Sequence, residues 1–331
     1  MAVKIIAEAG VNHNGSIELA KKLIDAAADA GADYVKFQTF NPQKLVSKYA
    51  KTAEYQKKNI GSEESQFSML SKLSLTQNNF CQLKEYCEEK NIGFLSTPFD
   101  LESIAFLDEL GVDFWKLPSG EITNLPYLEA IANTNKPIVM STGMASIEEV
   151  EQAINVVTSN GPKELTILQC NTEYPTPYED VNLRAMVTMQ EKFQVPVGYS
   201  DHTKGIAIPL AAVGMGATII EKHFTIDRTL PGPDHVASLE PDELKCMIDS
   251  IRQIELAMGN GKKEPSPSEK KNKGVARKSL VAARPIKKGE LYSPENLTTK
   301  RPGDGISPMR YYDLIGKPSN RDYEEDEKIQ E

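Results

Sequence analysis

Eight short apolar runs, each closing in polar residues and each followed by a segment of helical periodicity, constrain this chain more than any other feature. They are VKIIAEAG (3–10), DYVKFQ (33–38), IGFLSTP (92–98), DFWKLPSGE (113–121), PIVMSTG (137–143), LTILQCN (165–171), VPVGYSDH (195–202) and ATIIEKHF (217–224). After the first comes SIELAKKLIDAAADAGA, in which Leu19, Leu23, Ala26, Ala27 and Ala30 share one side of a helix. Strands apolar along most of their length need cover on both faces, which a parallel sheet with crossover helices provides. Eight such strands close on themselves, so the expected fold is an α/β protein with a (β/α)8 TIM barrel over residues 1–260.

The chain has 331 residues, which leaves room for a second, smaller unit. After residue 260 the sequence turns rich in Gly, Pro, Ser and Lys, and residues 261–279 read as a linker. Residues 280–331 carry short strand-like pieces broken by Gly and Pro, the pattern of a small C-terminal domain. The connection after the second run, from Thr39 to Leu75, is long for a barrel loop and is expected to cover a substrate. The net charge of -9 opposes nucleic-acid binding, and no apolar run is long enough for a membrane span. Four scattered cysteines without CxxC pairing read as reduced thiols. With too short an apolar stretch at the start for a signal peptide, the expected location is cytoplasmic.

In such barrels the chemistry gathers at the carboxyl ends of the strands. Those ends carry Glu8, Asn12 and His13; Lys36 and Gln38; Ser96 and Thr97; Lys116, Ser119 and Glu121; Ser141 and Thr142; Asn171, Thr172 and Tyr174; Ser200, Asp201 and His202; Glu221, Lys222 and His223. Any single hydroxyl here serves equally well as a helix cap. Lys36 and Lys116 do not fit that reading, because a lysine at a buried mouth is costly unless it meets an anion. With no nucleotide-binding glycine motif beside them, they suit a small phosphorylated acid. His202 and His223 end neighbouring strands and together suit a divalent ion such as Mn²⁺, Co²⁺, Fe²⁺ or Zn²⁺. Asp201, Glu221 and Glu8 stand by as oxygen ligands or supports. Asp234, in the turn-rich LPGPDH, adds a further carboxylate, while His235 is expected to stabilise that loop.

The segments AEAGVNHNG, KFQTF, STPFD, WKLPSGEITNLP, STGMAS, CNTEYPTPYEDVNL, GYSDHT, EKHFT, GPDH and TTKRPGDGIS, taken in order, resemble the sialic acid synthase family with its legionaminic and pseudaminic acid relatives. The resemblance runs from about residue 3 to the end. It implies a TIM barrel followed by a small C-terminal antifreeze-like (SAF) domain, in a homodimer.

The resemblance further implies a condensation of phosphoenolpyruvate with an N-acetylated mannose-type sugar, releasing phosphate by C–O cleavage. The expected product is N-acetylneuraminate, from N-acetylmannosamine; the alternative is N,N'-diacetyllegionaminate, from 2,4-diacetamido-2,4,6-trideoxymannose. By this analogy His202 and His223 hold Mn²⁺ or Mg²⁺, with Co²⁺ also accommodated. Lys36, Thr97, Lys116, Ser119, Ser141 and Ser200 match the phosphoenolpyruvate site, together with either Asn171 or Thr172. Glu8, Gln38, Tyr174, Glu221 and Asp234 match the sugar site, and Glu121 a carboxylate near the reacting centre. Arg301, in KRPGDG, matches an arginine that reaches the active site of the partner subunit. Competing readings are a metal-dependent aldolase, which would not need the C-terminal domain, and a non-catalytic glycan-binding protein.

Overall fold

All eight apolar runs become strands of one parallel sheet in the computed structural model, which describes residues 2–47, 65–161 and 164–331. The strands are β1 (Lys4–Gly10), β2 (Tyr34–Thr39), β3 (Gly93–Pro98), β4 (Trp115–Leu117), β5 (Ile138–Ser141), β6 (Leu165–Cys170), β7 (Val197–Asp201) and β8 (Ile219–His223). Their order is β3-β2-β1-β8-β7-β6-β5-β4, so the first strand pairs with the last and the sheet curls into a nearly closed barrel. Among the described residues no ladder joins β3 to β4. Pro118, which has no N–H to donate, ends β4 after three residues. The expected run 113–121 therefore divides into a short strand and a 3₁₀ turn, Ser119–Glu121.

Helices cover the outside. Ile17–Ala30 starts at Ser16, whose side chain accepts from the Leu19 amide, and stops at Gly31 in a left-handed conformation. It buries Ala20, Leu23, Ile24, Ala27 and Ala30, while Leu19 and Ala26 are half-buried at the edge of that face. The buried face is thus rotated slightly from the one expected, because Ile24 carries more apolar surface than Ala26 and turns inward. The barrel's helices and strands share one large core that includes Ile5, Leu23, Phe37, Trp115 and Ile220.

The chain divides into two compact units, Met1–Gly259 and Asn260–Glu331. Part of the expected linker is helical: Pro267–Ala276 is an exposed helix opened by a reciprocal cap between Ser266 and Glu269. The S-x-x-E spacing with Pro at the first helical position explains it. In the second unit β9 (Ser279–Ala282) pairs antiparallel with β10 (Leu297–Lys300). Leu280, Ile286, Tyr292, Leu297, Leu314 and Tyr323 form its core. Of the long second connection, the described parts include helices Pro42–Leu45 and Gln66–Leu73; residues 48–64 lie outside the described residues. Among the described residues no helix is long and apolar enough to cross a membrane.

Candidate active site

Inside the barrel the side chains change character over a single two-residue step. Ile6, Tyr34, Leu95, Phe114, Val139, Leu168 and Ile219 pack together as an apolar plug. Two residues further along come Glu8, Lys36, Thr97, Lys116, Ser141, Cys170 and Glu221, with Ser200 from β7 completing the ring. Alternation along a strand sends residues n and n+2 to the same face, so each strand lays one apolar and then one chemically competent group into the interior. All eight of the upper residues line a cavity of about 600 Å³.

Charges of opposite sign alternate across that ring. Lys36 Nζ lies 2.7 Å from Glu8 Oε2, 3.6 Å from Glu221 Oε2 and 2.9 Å from Thr97 Oγ1. Lys116 Nζ lies 3.4 Å from Glu221 Oε1 and donates to Ser141 Oγ at 2.7 Å. Ser200 Oγ donates to Glu221 Oε1 at 2.9 Å. Burial alone would raise the Glu221 carboxyl, yet Lys116 and Lys36 outweigh it and hold the group below the ordinary carboxylate range. Glu8 has less support: burial pushes it up to about 7 against the pull of Lys36. Burial also lowers the Lys116 ammonium, with Glu221 opposing. Two lysines paired with two carboxylates, with hydroxyls around them, form a socket that an oxyanion can enter by competing for the ammonium groups.

Backbone geometry keeps the socket open. Gly10 adopts φ +52 at a register shift in β1, where a Cβ would sit 3.2 Å from Glu8 Oε1 and 3.3 Å from Gln38 Nε2. Gln38 uses that approach to donate to Glu8 Oε1 at 3.1 Å. At Gly143 a Cβ would lie 2.8 Å from Thr172 and 2.9 Å from Ser119 Oγ. The bare backbone there lets the Gly143 amide donate to Ser119 Oγ at 2.9 Å.

His202 and His223 meet on the rim with ring centroids 5.2 Å apart, and Tyr174 packs against both, 4.0 Å and 5.5 Å away. His202 Nδ1 donates to the Asn171 carbonyl, and although burial opposes its charged form, Cys170 and that carbonyl hold its imidazole above the ordinary value. His223 Nδ1 is buried without a hydrogen-bond partner, and burial drives its imidazole far below the ordinary value. His223 is thus held neutral as a nitrogen donor, while His202 would offer Nε2 once it gives up its proton. Among the described residues no cluster of three or more His, Cys, Asp or Glu forms a metal site. Two imidazoles fit a divalent ion only with water or substrate in its other positions.

Most of the residues expected in the site line this cavity: Glu121, Thr172, Tyr174 and Asp234 join those named above. Burial raises Glu121, and pushes Asp234 up to about 6. Two expectations change. Asn171 does not line the cavity; its side chain accepts from the Glu173 amide at 2.8 Å and ties its own loop, so Thr172 faces the cavity instead. Asp201 is no support for the metal position: it points out of the barrel, fully buried, and pairs with Lys222 Nζ at 2.5 Å. Strand alternation requires this, because His202 and His223 point inward and their sequence neighbours must point outward. Arg301 lies exposed on the second unit.

Asn12 and His13 are likewise not cavity residues. Asn12 ties the loop beyond β8 through Phe224 O and Ser238 Oγ, at 2.8 Å and 2.9 Å. His235 holds the same loop through Thr225 Oγ1 at 2.7 Å. Cys170 escaped sequence reasoning, although its place two residues after Leu168 was the available signal. Its Sγ lies 3.8 Å from His202 Nδ1.

A barrel whose carboxyl-end layer carries lysines, carboxylates, hydroxyls and paired imidazoles defines an enzyme of the α/β-barrel class. The chain matches the NeuB family over residues 23–263 and the SAF domain over residues 277–331. It is 56% identical over 329 residues to the N,N'-diacetyllegionaminic acid synthase of Campylobacter jejuni, covering 99% of this chain and 98% of that one. The Legionella pneumophila N,N'-diacetyllegionaminic acid synthase is 48% identical over 320 residues, covering 96% and 90%. The solved N-acetylneuraminic acid synthetase of Leptospira borgpetersenii is 39% identical with a TM-score of 0.73, covering 82% of this chain and 90% of that chain. This chain belongs to the NeuB family of sialic-type sugar-acid synthases.

Proposed function

We propose that this enzyme condenses phosphoenolpyruvate with 2,4-diacetamido-2,4,6-trideoxymannose to give N,N'-diacetyllegionaminate and phosphate. The observation that carries the sugar assignment is the 56% identity to the Campylobacter jejuni legionaminic acid synthase, against 37% to the human N-acetylneuraminate-9-phosphate synthase. It moves the preference away from N-acetylneuraminate, the product first expected from the sequence.

In this reading Lys36, Lys116 and the hydroxyls of Thr97, Ser119, Ser141, Thr172 and Ser200 bind the phosphate and carboxylate of phosphoenolpyruvate. The charged ring near Lys36, with Glu8 and Gln38, orients the sugar. The enol carbon attacks the sugar aldehyde, water adds at C2, and the C–O bond to phosphate breaks. Glu8 and Asp234, titrating near 7 and near 6, are suited to carry protons at neutral pH. His202 and His223 would hold a divalent ion, Mn²⁺ or Mg²⁺, which when bound supplies Lewis-acid polarisation of the aldehyde oxygen. The homodimer and the role of Arg301 in a second copy's site belong to the same reading, supported by the SAF match that includes Arg301. So does a cytoplasmic location, supported by four free cysteines.

The test is phosphate release from phosphoenolpyruvate with Mn²⁺, each sugar supplied separately, comparing kcat/KM. Preference for the trideoxy sugar supports the reading. Preference for N-acetylmannosamine assigns sialic acid synthesis instead, and release with neither overturns both.

A further inference from the structure

The cavity has two unlike sides. Beside the lysines and imidazoles it is polar, but Val11, Phe40, Met69 and Leu73 form a separate buried apolar cluster, joined by Leu70 and Phe99, and all six line the same cavity. The wall grows out of the ends of β1, β2 and β3. Val11 follows Gly10, Phe40 comes two residues after Gln38, and Phe99 follows β3. Phe40 and Phe99 meet edge to face with centroids 6.4 Å apart. The helix Gln66–Leu73, capped by Ser65, supplies Met69 and Leu73 one turn apart.

An acceptor sugar has a reacting aldehyde at C1 and a tail from C4 to C6. With the aldehyde beside the polar groups, the tail reaches the wall next to Gln38. None of these six side chains offers a hydrogen bond, so a hydroxyl held against them loses its water unless it reaches Gln38, Ser47 or Gln66 at the edge of the wall, whereas a methyl gains by leaving water. We propose that this wall selects the acceptor's tail, receiving the C6 methyl and the 4-acetamido methyl of a 6-deoxy, 4-acylamino sugar and disfavouring a 6-hydroxyl. The inference rests on the function proposed above and gives that function its specificity element. An apolar pocket rejects an added hydroxyl only modestly, so the preference is on the order of 10- to 100-fold.

Two experiments on the full-length, Mn²⁺-loaded protein test it. The first changes only the substrate: the 6-deoxy analogue of N-acetylmannosamine is compared with N-acetylmannosamine itself on the unaltered protein. About a 10-fold higher kcat/KM for the deoxy analogue is expected, and equal or lower use overturns the proposal. The second compares Met69→Gln with Met69→Leu. Met69→Gln should narrow the kcat/KM ratio between the trideoxy sugar and N-acetylmannosamine by at least about 10-fold at unchanged KM for phosphoenolpyruvate, while Met69→Leu preserves the ratio. Equal losses on both sugars would make the wall merely structural and overturn the proposal. The function proposed above stands or falls separately, on which sugar the unaltered protein prefers.

Discussion

Replacing Lys222 by Met removes one half of an ion pair in which both side chains are fully buried. Lys222 Nζ lies 2.5 Å from Asp201 Oδ2 and donates also to the Thr203 carbonyl. Asp201 accepts in addition from the Thr203 amide at 3.0 Å and from Thr203 Oγ1 at 3.1 Å. Met fills nearly the same volume as the lysine stem, so the packing change is small. What remains is a buried carboxylate without its cation, which costs about 3–5 kcal/mol. The double variant Asp201→Asn/Lys222→Met neutralises the pair. Asn keeps an oxygen for the Thr203 amide, so most of that loss should return, leaving a deficit near 1 kcal/mol. Urea unfolding followed by tryptophan fluorescence measures both, with the midpoint falling at constant slope. A loss below about 1 kcal/mol for Lys222→Met, or a double variant as unstable as the single one, would refute the reasoning. The pair joins β7 to β8 one residue from each imidazole, at the register position Asp201↔Lys222, so the single variant should also weaken Mn²⁺ binding.

Further outcomes follow from the same geometry. Glu8, pushed up to about 7, takes its proton in the folded state before the unfolded chain does, so folding is favoured at low pH and stability falls as pH rises from about 4.5 towards 7. Glu8→Gln should flatten that part of a urea-midpoint-against-pH curve; an unchanged slope would place the titration elsewhere. Lys116→Met removes a charge-assisted contact and should raise the KM for phosphoenolpyruvate by about 10- to 150-fold, more than it raises the KM for the sugar. Thr172→Ala should raise the same KM without altering the urea midpoint, whereas Asn171→Ala, which frees the loop around Glu173, should lower the unfolding free energy by about 1 kcal/mol, seen as a lower midpoint at constant slope. For His223→Ala the expected result is at least a 10-fold weaker Mn²⁺ affinity by electron paramagnetic resonance, and unchanged affinity would remove His223 from the metal position.

The strand count, the strand ends and the two-residue step from Leu95 to Thr97 or from Val139 to Ser141 can be read along the chain. Alternation in a strand is a local property, and it assigns neighbouring residues to opposite faces wherever the strand ends up. That is why seven of the eight groups in the charged ring were named from sequence, and why the resemblance to the sialic acid synthases could be written residue by residue. Which face belonged to which residue needed the closed barrel. Only the tertiary structure shows that Asp201 and Lys222 pair with each other while His202 and His223 meet at the mouth, and that Asn171 turns back into its own loop. The apolar wall was hidden for a stronger reason: Val11, Phe40, Met69 and Phe99 sit far apart in the chain, and no local period links them. Their meeting depends on β1, β2 and β3 standing side by side and on the helix Gln66–Leu73, inside the long connection from β2 to β3, packing against their ends, which tertiary contacts decide and no local pattern records.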